Sequence, residues 1–315
     1  MWILYAFSAA FFAGITAVLV KIGIRDMDSN LATALRMIVI TIFSWAMVFV
    51  VGSQKEIGDI TLRTLMFLVL SGLSMGVSWL CYFKALQLGE VNKVAPIDRS
   101  STILTMILAF FLLGEKITIF MFIGMVVIII GTVFMLNRDF SKRADKKVSA
   151  KEEGTESETE GQKRRRASVG LRGIWDRYAW AVFASGSAVF ASMTAILGKI
   201  GIEGVESNLG TAIRTIIVLV MSWGIIWKQK KISEIKSVSM KGWIFIFLSG
   251  ISTGLSWMSY YRALKDGYAS VIVPIDKLSI VVTVFFSWLI LKEKVNRRSL
   301  TGLGLIVAGT LCLLL

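Results

Sequence analysis

The sequence predicts an all-α integral membrane protein in which ten transmembrane helices form two inverted five-helix repeats. Two observations lead to this prediction. The first is composition, because 55% of the 315 residues are hydrophobic and only 18% are charged. The apolar residues form about ten blocks, each close to the roughly 20 residues that cross a bilayer. The second is an internal duplication of the chain. A soluble enzyme and a receptor with a large folded ectodomain are therefore excluded.

The duplication relates residues that lie 178 positions apart, without a gap. Lys21 recurs as Lys199, Arg36 as Arg214, and the tripeptide Pro-Ile-Asp occurs at both 96–98 and 274–276. Each copy holds five apolar blocks, which in the first copy cover 2–20, 31–51, 64–83, 94–113 and 118–136. Because five is an odd number, the second copy must enter the membrane from the opposite side. Inverted repeats with a site at their interface are typical of secondary transporters.

The copies define three parts, which are a first repeat at 1–137, a linker at 138–178 and a second repeat at 179–315. The linker is polar and rich in both charge signs, so we expect it to be disordered. Counting Lys and Arg by loop places 25 on the linker's side and 6 on the other. The positive-inside rule then predicts a cytoplasmic linker and outside termini, in a multi-pass protein of the cell membrane (in a bacterium, the inner membrane).

Several kinds of chemistry are missing from the sequence. There are no histidines, which excludes His-based proton relays, His metal sites and Ser-His triads. No phosphate-binding loop is present, so ATP-driven transport by this chain alone is not expected. We expect no enzyme activity, no cofactor and no metal. The net charge of +14 is better explained by membrane orientation than by nucleic acid. Cys81 and Cys312 lie in apolar segments, where we expect free thiols.

The chain has two prolines, Pro96 and Pro274, each followed two residues later by an aspartate, Asp98 or Asp276. A proline inside a membrane helix can mark a discontinuous segment near a binding site, and a buried acid usually faces a cavity or a partner. The aspartates are therefore candidates for proton or cation coupling, or for binding a substrate amine. The alternative is local, with Pro in the first helical turn and Asp complementing the helix N-terminus.

Polar and aromatic side chains recur on the third apolar block of each copy at helical spacing. This stripe either allows close helix packing or lines a polar path, and its aromatic residues suit a cavity wall or an interfacial belt. Its members are Ser78, Trp79 and Tyr82, with Ser256, Trp257 and Tyr260 as their duplicates. Arg36 and Arg214 lie about one turn into the second block. They are candidates to bind a carboxylate or phosphate, or else they snorkel to the interface or pair with an acid such as Asp98.

The last block of each copy carries two glycines seven residues apart. Gly124 and Gly131 occupy one helix face, and Gly302 and Gly309 occupy the equivalent face of the second copy. A glycine groove allows close helix contact, so we expect these residues to join the two halves within one chain.

Several short motifs together resemble a known family. They are the Lys that closes the first block, the Arg of the second, Tyr-Phe-Lys-Ala-Leu-Gln-Leu-Gly at 82–89 with Tyr-Arg-Ala-Leu-Lys-Asp-Gly at 261–267, and Leu-Leu-Gly-Glu-Lys-Ile-Thr at 112–118. Both halves resemble the EamA domain of the drug/metabolite transporter superfamily, as a fused pair of five-span units. The resemblance implies a ten-helix carrier with alternating access and a cavity lined mainly by the third and fourth helices of each half. Members of this kind usually have cytoplasmic termini, which is the reverse of the charge count.

These observations and the resemblance lead to a functional prediction. We expect a secondary transporter that exports small polar metabolites such as amino acids or amines, coupled to protons or to exchange through Asp98 and Asp276. The expected partners are a small-molecule substrate and the lipid bilayer. One alternative is a multidrug exporter of hydrophobic cations. Another, of a different class, is a non-transporting membrane protein such as a lipid scramblase or an assembly partner.

Overall fold

A computed structural model describes residues 1–23, 27–88, 94, 97, 100–116, 118–131, 171–292 and 297–313. The regular structure in these ranges is helical. The first half contains α1 (Trp2–Gly23), α2 (Ser29–Val51), α3 (Leu62–Leu88), α4 (Ser101–Leu113) and α5 (Ile119–Gly131). The second contains α6 (Leu171–Ile202), α7 (Ser207–Lys228), α8 (Met240–Asp266), α9 (Ala269–Asp276), α10 (Ser279–Leu291) and α11 (Arg297–Cys312). Short 3-10 helices at Ser53–Asp59 and Ile232–Ser237 follow α2 and α7.

Helix α6 starts inside the range that the sequence assigns to the linker. Its backbone is helical from Leu171, whereas the predicted linker runs to 178. The apolar residues Leu171, Ile174 and Trp175 have the spacing of one helix face, so the helical pattern continues ahead of the uninterrupted apolar block. The rest of the predicted linker, 138–170, lies outside the described residues.

Within the described ranges, seven helical segments are long and apolar enough to cross a membrane. Six of them belong to α1, α2, α3, α6, α7 and α8, and the seventh, Ala269–Ile290, combines α9 and α10. The apolar helices α4 and α5 and the apolar part of α11 are shorter, and 13 residues of helix extend about 20 Å. Large apolar side chains point outward, with Phe111 at 75% and Val220 at 66% exposure. The chain is therefore an all-α, multi-pass membrane protein.

Helices from the two halves pack in antiparallel pairs. The start of α1 contacts the end of α8, because a Cβ on Gly267 would lie 2.7 Å from the Trp2 ring, and the end of α1 contacts the start of α8, where Gly23 meets Phe245. In the same way α3 packs along α6 and α2 packs along α7. Each pair joins one helix of the first half to one of the second, so the core of the protein lies between the halves.

These pairs define two ends of the molecule. One end, here the Glu115 end, holds the start of α1, the end of α6 and the loop with Glu115, whose carboxylate contacts Lys199. The other, the Asp28 end, holds the start of α2, where Asn30 donates to Gln229 after α7. Because α5 starts at the Glu115 end and α6 finishes there, the end of α5 at Gly131 and the start of α6 at Leu171 lie toward the Asp28 end.

The four glycines of the last blocks lie opposite one another across α5 and α11. A Cβ on Gly124 would lie 2.5 Å from the carbonyl oxygen of Gly309, and one on Gly131 would lie 2.8 Å from that of Gly302. No side chain fits at such distances, so the backbones of α5 and α11 approach as closely as two helices can. The order of the contacts makes these two helices antiparallel as well.

Candidate functional site

Two adjoining cavities lie between the halves in the middle of the molecule. The Arg36 cavity has a volume of about 400 Å³ and the Asp276 cavity one of about 290 Å³. They share a wall formed by α1, α3 and α8, whose side chains are Ala13, Met75, Trp79, Ser256 and Trp257. Volumes of this size suit a small metabolite rather than a macromolecule.

The predicted aromatic residues all line these cavities. Trp79 and Trp257 border both of them, while Tyr82 borders the Arg36 cavity and Tyr260 the Asp276 cavity. The four residues are two repeat-related pairs, which places the equivalent face of each half toward the same space. An indole offers an apolar wall together with one hydrogen-bond donor, and both features suit a small polar ligand.

Arg36 lies seven residues after the start of α2, which corresponds to about 10 Å from the Asp28 end. Its guanidinium borders the Arg36 cavity, and its Nη2 donates to Thr253 Oγ1 at 2.6 Å. Its buried Nε has no hydrogen-bond partner among the described residues. Of the described residues around this cavity, Arg36 is the only charged one.

Arg214, the duplicate of Arg36, has a different environment. It is 3% exposed, and its guanidinium lies 4.0 Å from the centroid of the Tyr261 ring in a cation–π contact. Its Nε and Nη2 find no hydrogen-bond partner in the described part of the chain. Tyr261, which contacts Arg214, also borders the Asp276 cavity, whereas Arg214 does not.

Asp276 borders its cavity beside Lys277, and its position differs from the first turn of a helix. It is the last residue of α9, eight residues long, and Pro274 is the sixth residue of that helix. The next helix, α10, starts at Ser279 after a tight turn, so the fourth block of the second half is discontinuous at the aspartate. Asp276 thus lies about 10 Å from the Glu115 end, just ahead of the N-terminus of α10. Pro96 and Asp98 lie outside the described residues.

Ser78 and Ser256, the serines of the polar and aromatic stripe, make contacts that favour close packing between helices. Ser78 Oγ donates to the carbonyl oxygen of Ser187 in α6 at 3.0 Å. Ser256 Oγ donates to that of Ala9 in α1 at 2.9 Å. Both serines also border a cavity, but these hydrogen bonds direct their hydroxyl protons toward a neighbouring backbone rather than into the space.

Glu115 is a buried charged residue that the sequence prediction did not include among the site residues. It is 4% exposed and lies between α4 and α5. Its Oε1 accepts from Lys199 Nζ at 2.7 Å and from the Ala269 N–H at 2.8 Å. Its Oε2 accepts from the Ser270 N–H at 2.9 Å and from Ser270 Oγ at 2.6 Å. A carboxylate of the first half therefore caps α9 of the second half and closes the Glu115 end.

These contacts determine the protonation of Glu115. Burial acts to raise the pKa of its carboxyl, but the hydrogen bonds from Lys199 and Ser270 outweigh burial and lower the pKa below the ordinary 4.5. Glu115 is thus a carboxylate at neutral pH. Lys199 also donates to the Gly267 carbonyl oxygen at 2.6 Å, so the same ammonium caps the C-terminal end of α8.

The Asp28 end has a more exposed ion pair, between Asp28 and Lys231. The Asp28 side chain also caps α2 by accepting from the N–H groups of Asn30 and Leu31. Burial acts to raise the pKa of Asp28, but the hydrogen bonds from Lys231 and Leu31 lower it below the ordinary 3.8. Glu206, the duplicate of Asp28, caps α7 in the same way through Asn208 and Leu209.

The family model of EamA-like transporters matches residues 1–137 and, separately, residues 178–315. The chain belongs to the EamA-like transporter family. The two matches confirm the resemblance that the motifs indicate, with one EamA unit in each half. An EamA protein with several apolar helices is a multi-pass membrane transporter.

Two comparisons with single proteins agree with this assignment. An uncharacterized transporter in the cobO 3' region of a Sinorhizobium species is 39% identical over 134 residues, which are 42% of this chain and 95% of that protein. Less than half of this EamA chain thus covers nearly all of that relative. A crystal structure of another protein matches 99% of this chain and 97% of its own with a TM-score of 0.71. At 16% sequence identity, that likeness shows the fold alone.

Proposed function

We propose that this EamA protein is a secondary transporter that exports small polar metabolites, such as amino acids or amines, by alternating access. The observation that supports the proposal most is the central cavity pair. It lies between the halves, Trp79 and its duplicate Trp257 border it, and Arg36 and Asp276 border it about 10 Å from opposite ends. A zwitterion or an amine would find a cation or an anion there, between aromatic walls.

The proposal includes ten spans arranged as two inverted five-helix repeats. Three apolar helices that are shorter than the other spans, α4, α5 and α11, add to the seven longer segments. Helix α6 is the duplicate of α1, and α8 is the duplicate of α3. Because α1 packs against α8 and α3 packs against α6, each pair combines the first helix of one half with the third helix of the other, and each pair is antiparallel. Two similar units held upside down relative to each other would make this pattern of contacts.

Domain boundaries and orientation follow from the same arrangement. The proposed units are 1–137 and 179–315, which pair within the chain and are joined by the linker 138–178. Because the linker joins the ends of α5 and α6 that lie toward the Asp28 end, and the loops on the linker's side carry 25 Lys and Arg residues against 6 on the other side, we place the Asp28 end in the cytoplasm of a bacterial-type cell and both termini outside.

The two ends differ in a way that fits one state of an alternating-access cycle. At the Glu115 end, the buried Glu115–Lys199 pair joins the halves. At the other end, the Arg36 cavity reaches Thr33, which is about one turn from the start of α2. The arrangement supports a state that faces the cytoplasm, in which a substrate enters past Thr33 and the Glu115 end must separate for release.

Coupling is assigned to the aspartates of the fourth blocks. Asp276 borders a cavity at a break between two helices, a position where a carboxylate can bind a proton or a substrate ammonium. Asp98 is its sequence duplicate and is proposed to act in the same way. Exchange of solutes without protons is the other form of coupling that this arrangement allows.

The test compares metabolites outside cells that overproduce this protein with those outside cells that produce the Asp98→Asn/Asp276→Asn variant at equal membrane abundance. We expect at least one amino acid or amine to accumulate only with the unaltered protein. Asp59→Asn is the matched control, because Asp59 is exposed and far from the cavity in the chain. Full proton-coupled flux in the double variant would refute the role of the aspartates.

A multidrug exporter of hydrophobic cations is the second candidate. The observation that favours it is the apolar and polarizable lining of the Arg36 cavity, which includes Met37, Met75 and the two tryptophans. Arg36 opposes it, because a guanidinium in the same cavity repels a cation. Flux that increases with the lipophilicity of a cation series would favour this candidate. Lipid movement in vesicles without any solute would favour a scramblase instead.

A further inference from the structure

Arg36 and Arg214 occupy the same position in the repeat but have different environments. Arg36 borders an open cavity and uses one guanidinium nitrogen on Thr253, while its Nε finds no partner among the described residues. Arg214 is covered by the ring of Tyr261, and its Nε and Nη2 lack partners in the same described ranges. A buried guanidinium with free donors is costly unless an acceptor binds it during function.

The surroundings of Arg36 indicate which kind of hydrogen-bond acceptor its guanidinium can bind. Its cavity contains the hydroxyls of Thr16, Thr33 and Thr253, and Thr253 Oγ1 lies 3.4 Å from Thr16 Oγ1. Those of Thr33 and Thr253 already donate to carbonyl oxygens one turn back in their own helices. An anion that entered this cavity would therefore meet the remaining guanidinium donors of Arg36, whose planar geometry matches a carboxylate.

A single carboxylate also fits the charge of the site better than a phosphate does. Arg36 is the one charged residue that borders its cavity among the described residues, so a monoanion leaves the cavity neutral. A phosphate ester carries close to two charges at neutral pH and would leave one uncompensated in the membrane interior.

We propose that the transported molecule carries a carboxylate, and that Arg36 and Arg214 bind it in turn. Arg36 binds it when the cavity faces the Asp28 end, and Arg214 binds it when the cavity faces the Glu115 end. The proposal rests on the proposed transport function and specifies the chemical class of its substrate. In an inverted repeat, the opposite-facing state is reached when each half takes the conformation of the other, which exchanges the environments of equivalent residues.

The change required at Arg214 is small. The Tyr261 ring packs against the guanidinium of Arg214, and Tyr261 borders the Asp276 cavity. Moving this one ring away uncovers Arg214. A movement of α8 that opens the Glu115 end moves Tyr261, which is five residues before the end of that helix at Asp266.

The experiment measures equilibrium binding to the purified full-length chain of two probes of similar shape, 3-phenylpropanoate and its uncharged amide 3-phenylpropanamide. The acid is expected to bind at least about tenfold more tightly than the amide. Arg36→Gln should remove this preference and Arg36→Lys should restore part of it. Arg63→Gln is the control, because Arg63 is exposed and contacts Phe67 outside both cavities. Arg214→Gln should leave equilibrium binding of the acid within about twofold.

Transport of the radiolabelled acid into vesicles then separates the two arginines. Both Arg36→Gln and Arg214→Gln should abolish it, because each state of the cycle needs one of them. Equal binding of acid and amide, no binding of the acid up to about 10 mM, or tighter binding of 2-phenylethyl phosphate overturns the carboxylate assignment. Equal loss of binding in both arginine variants overturns the alternation. Binding of the acid that needs Arg36, without transport by the unaltered chain, supports the anion site and refutes the proposed transport function.

Discussion

The two ends of the molecule carry ion pairs of different character. At the Glu115 end, the carboxylate and the Lys199 ammonium are 4% and 12% exposed, they belong to different halves, and the carboxylate makes three further hydrogen bonds. At the Asp28 end, the side chains of Asp28 and Lys231 are 25% and 31% exposed. The helix caps at Asp28 and Glu206 are equivalent, so the ends differ in their ion pairs rather than in how their helices begin.

This difference shows how a duplicated chain departs from symmetry. Removing one partner of a buried ion pair lowers the free energy of unfolding of the protein by a large amount. Removing one partner of an exposed pair changes it little, because water screens the charges. The buried pair at the Glu115 end therefore holds the halves together more strongly than the exposed pair at the Asp28 end. Four predictions test the contrast, and they follow in order of decreasing effect.

The largest effect is expected at Lys199. Lys199→Met leaves the Glu115 charge buried without its cation, so we expect the free energy of unfolding to fall by about 3 kcal/mol. Thermal unfolding of the purified chain measures the change. Adding Glu115→Gln to the variant should recover part of the loss. Lys55→Met, at an exposed residue near the same end, is the control; a loss as large in the control would contradict the buried pair.

The second effect is a pH dependence that belongs to the Glu115 end. The folded pKa of Glu115 is lower than the ordinary 4.5. The stabilisation is therefore complete above pH 4.5 and is lost as the pH falls below it toward the folded pKa. The difference in melting temperature between the unaltered chain and Glu115→Gln should shrink from neutral pH to about pH 3. A difference that stays constant over this range would show that the carboxylate charge contributes nothing.

The third effect concerns the two caps. Asp28→Ala and Glu206→Ala each remove an acceptor for two backbone N–H groups, at Asn30 and Leu31 or at Asn208 and Leu209. Each should cost about 1 kcal/mol of folding free energy, and the two costs should agree within about a factor of two. If only Glu206→Ala destabilised the chain, the ends would differ in their caps as well, and the contrast would need another explanation.

The smallest effect is expected at Lys231. Lys231→Met removes the exposed partner of Asp28, while the cap on α2 remains, so no change beyond measurement error is expected. The same thermal unfolding measurement applies. A loss comparable to that of Lys199→Met would remove the distinction between the ends on which the proposed state depends.

Much of the fold could be predicted from the sequence because the duplicated apolar blocks form duplicated helices. Blocks predicted at 2–20 and 31–51 correspond to α1 and α2, and the glycines at 124 and 309 lie opposite each other. Helix packing in a membrane depends on such local patterns of size and polarity. Helix α6 begins at Leu171, ahead of the second repeat predicted to start at 179, and there the apolar residues at helical spacing are separated by charged ones.

The candidate site could be predicted only in part. The tryptophans and Asp276 were chosen from their chemistry, and they border the cavities. Glu115 is not predicted as a site residue, although it lies in the Leu-Leu-Gly-Glu-Lys motif and its partner Lys199 duplicates the Lys that closes the first block. Their partnership joins residues 84 positions apart in different halves. Nor does one sequence distinguish Arg36 from Arg214, since they hold the same repeat position and differ in their tertiary contacts.

The most direct test of alternating access is the accessibility of one cysteine, Ala13→Cys, in a chain whose Cys81 and Cys312 are replaced by serine. Ala13 borders both cavities, and Ser149→Cys in the linker marks the linker's side of the membrane. We predict that a membrane-impermeant maleimide modifies Ala13→Cys from the linker's side alone, and from the other side once Glu115→Gln is added. Modification from both sides in the unaltered background, or from neither side in both, would contradict the account.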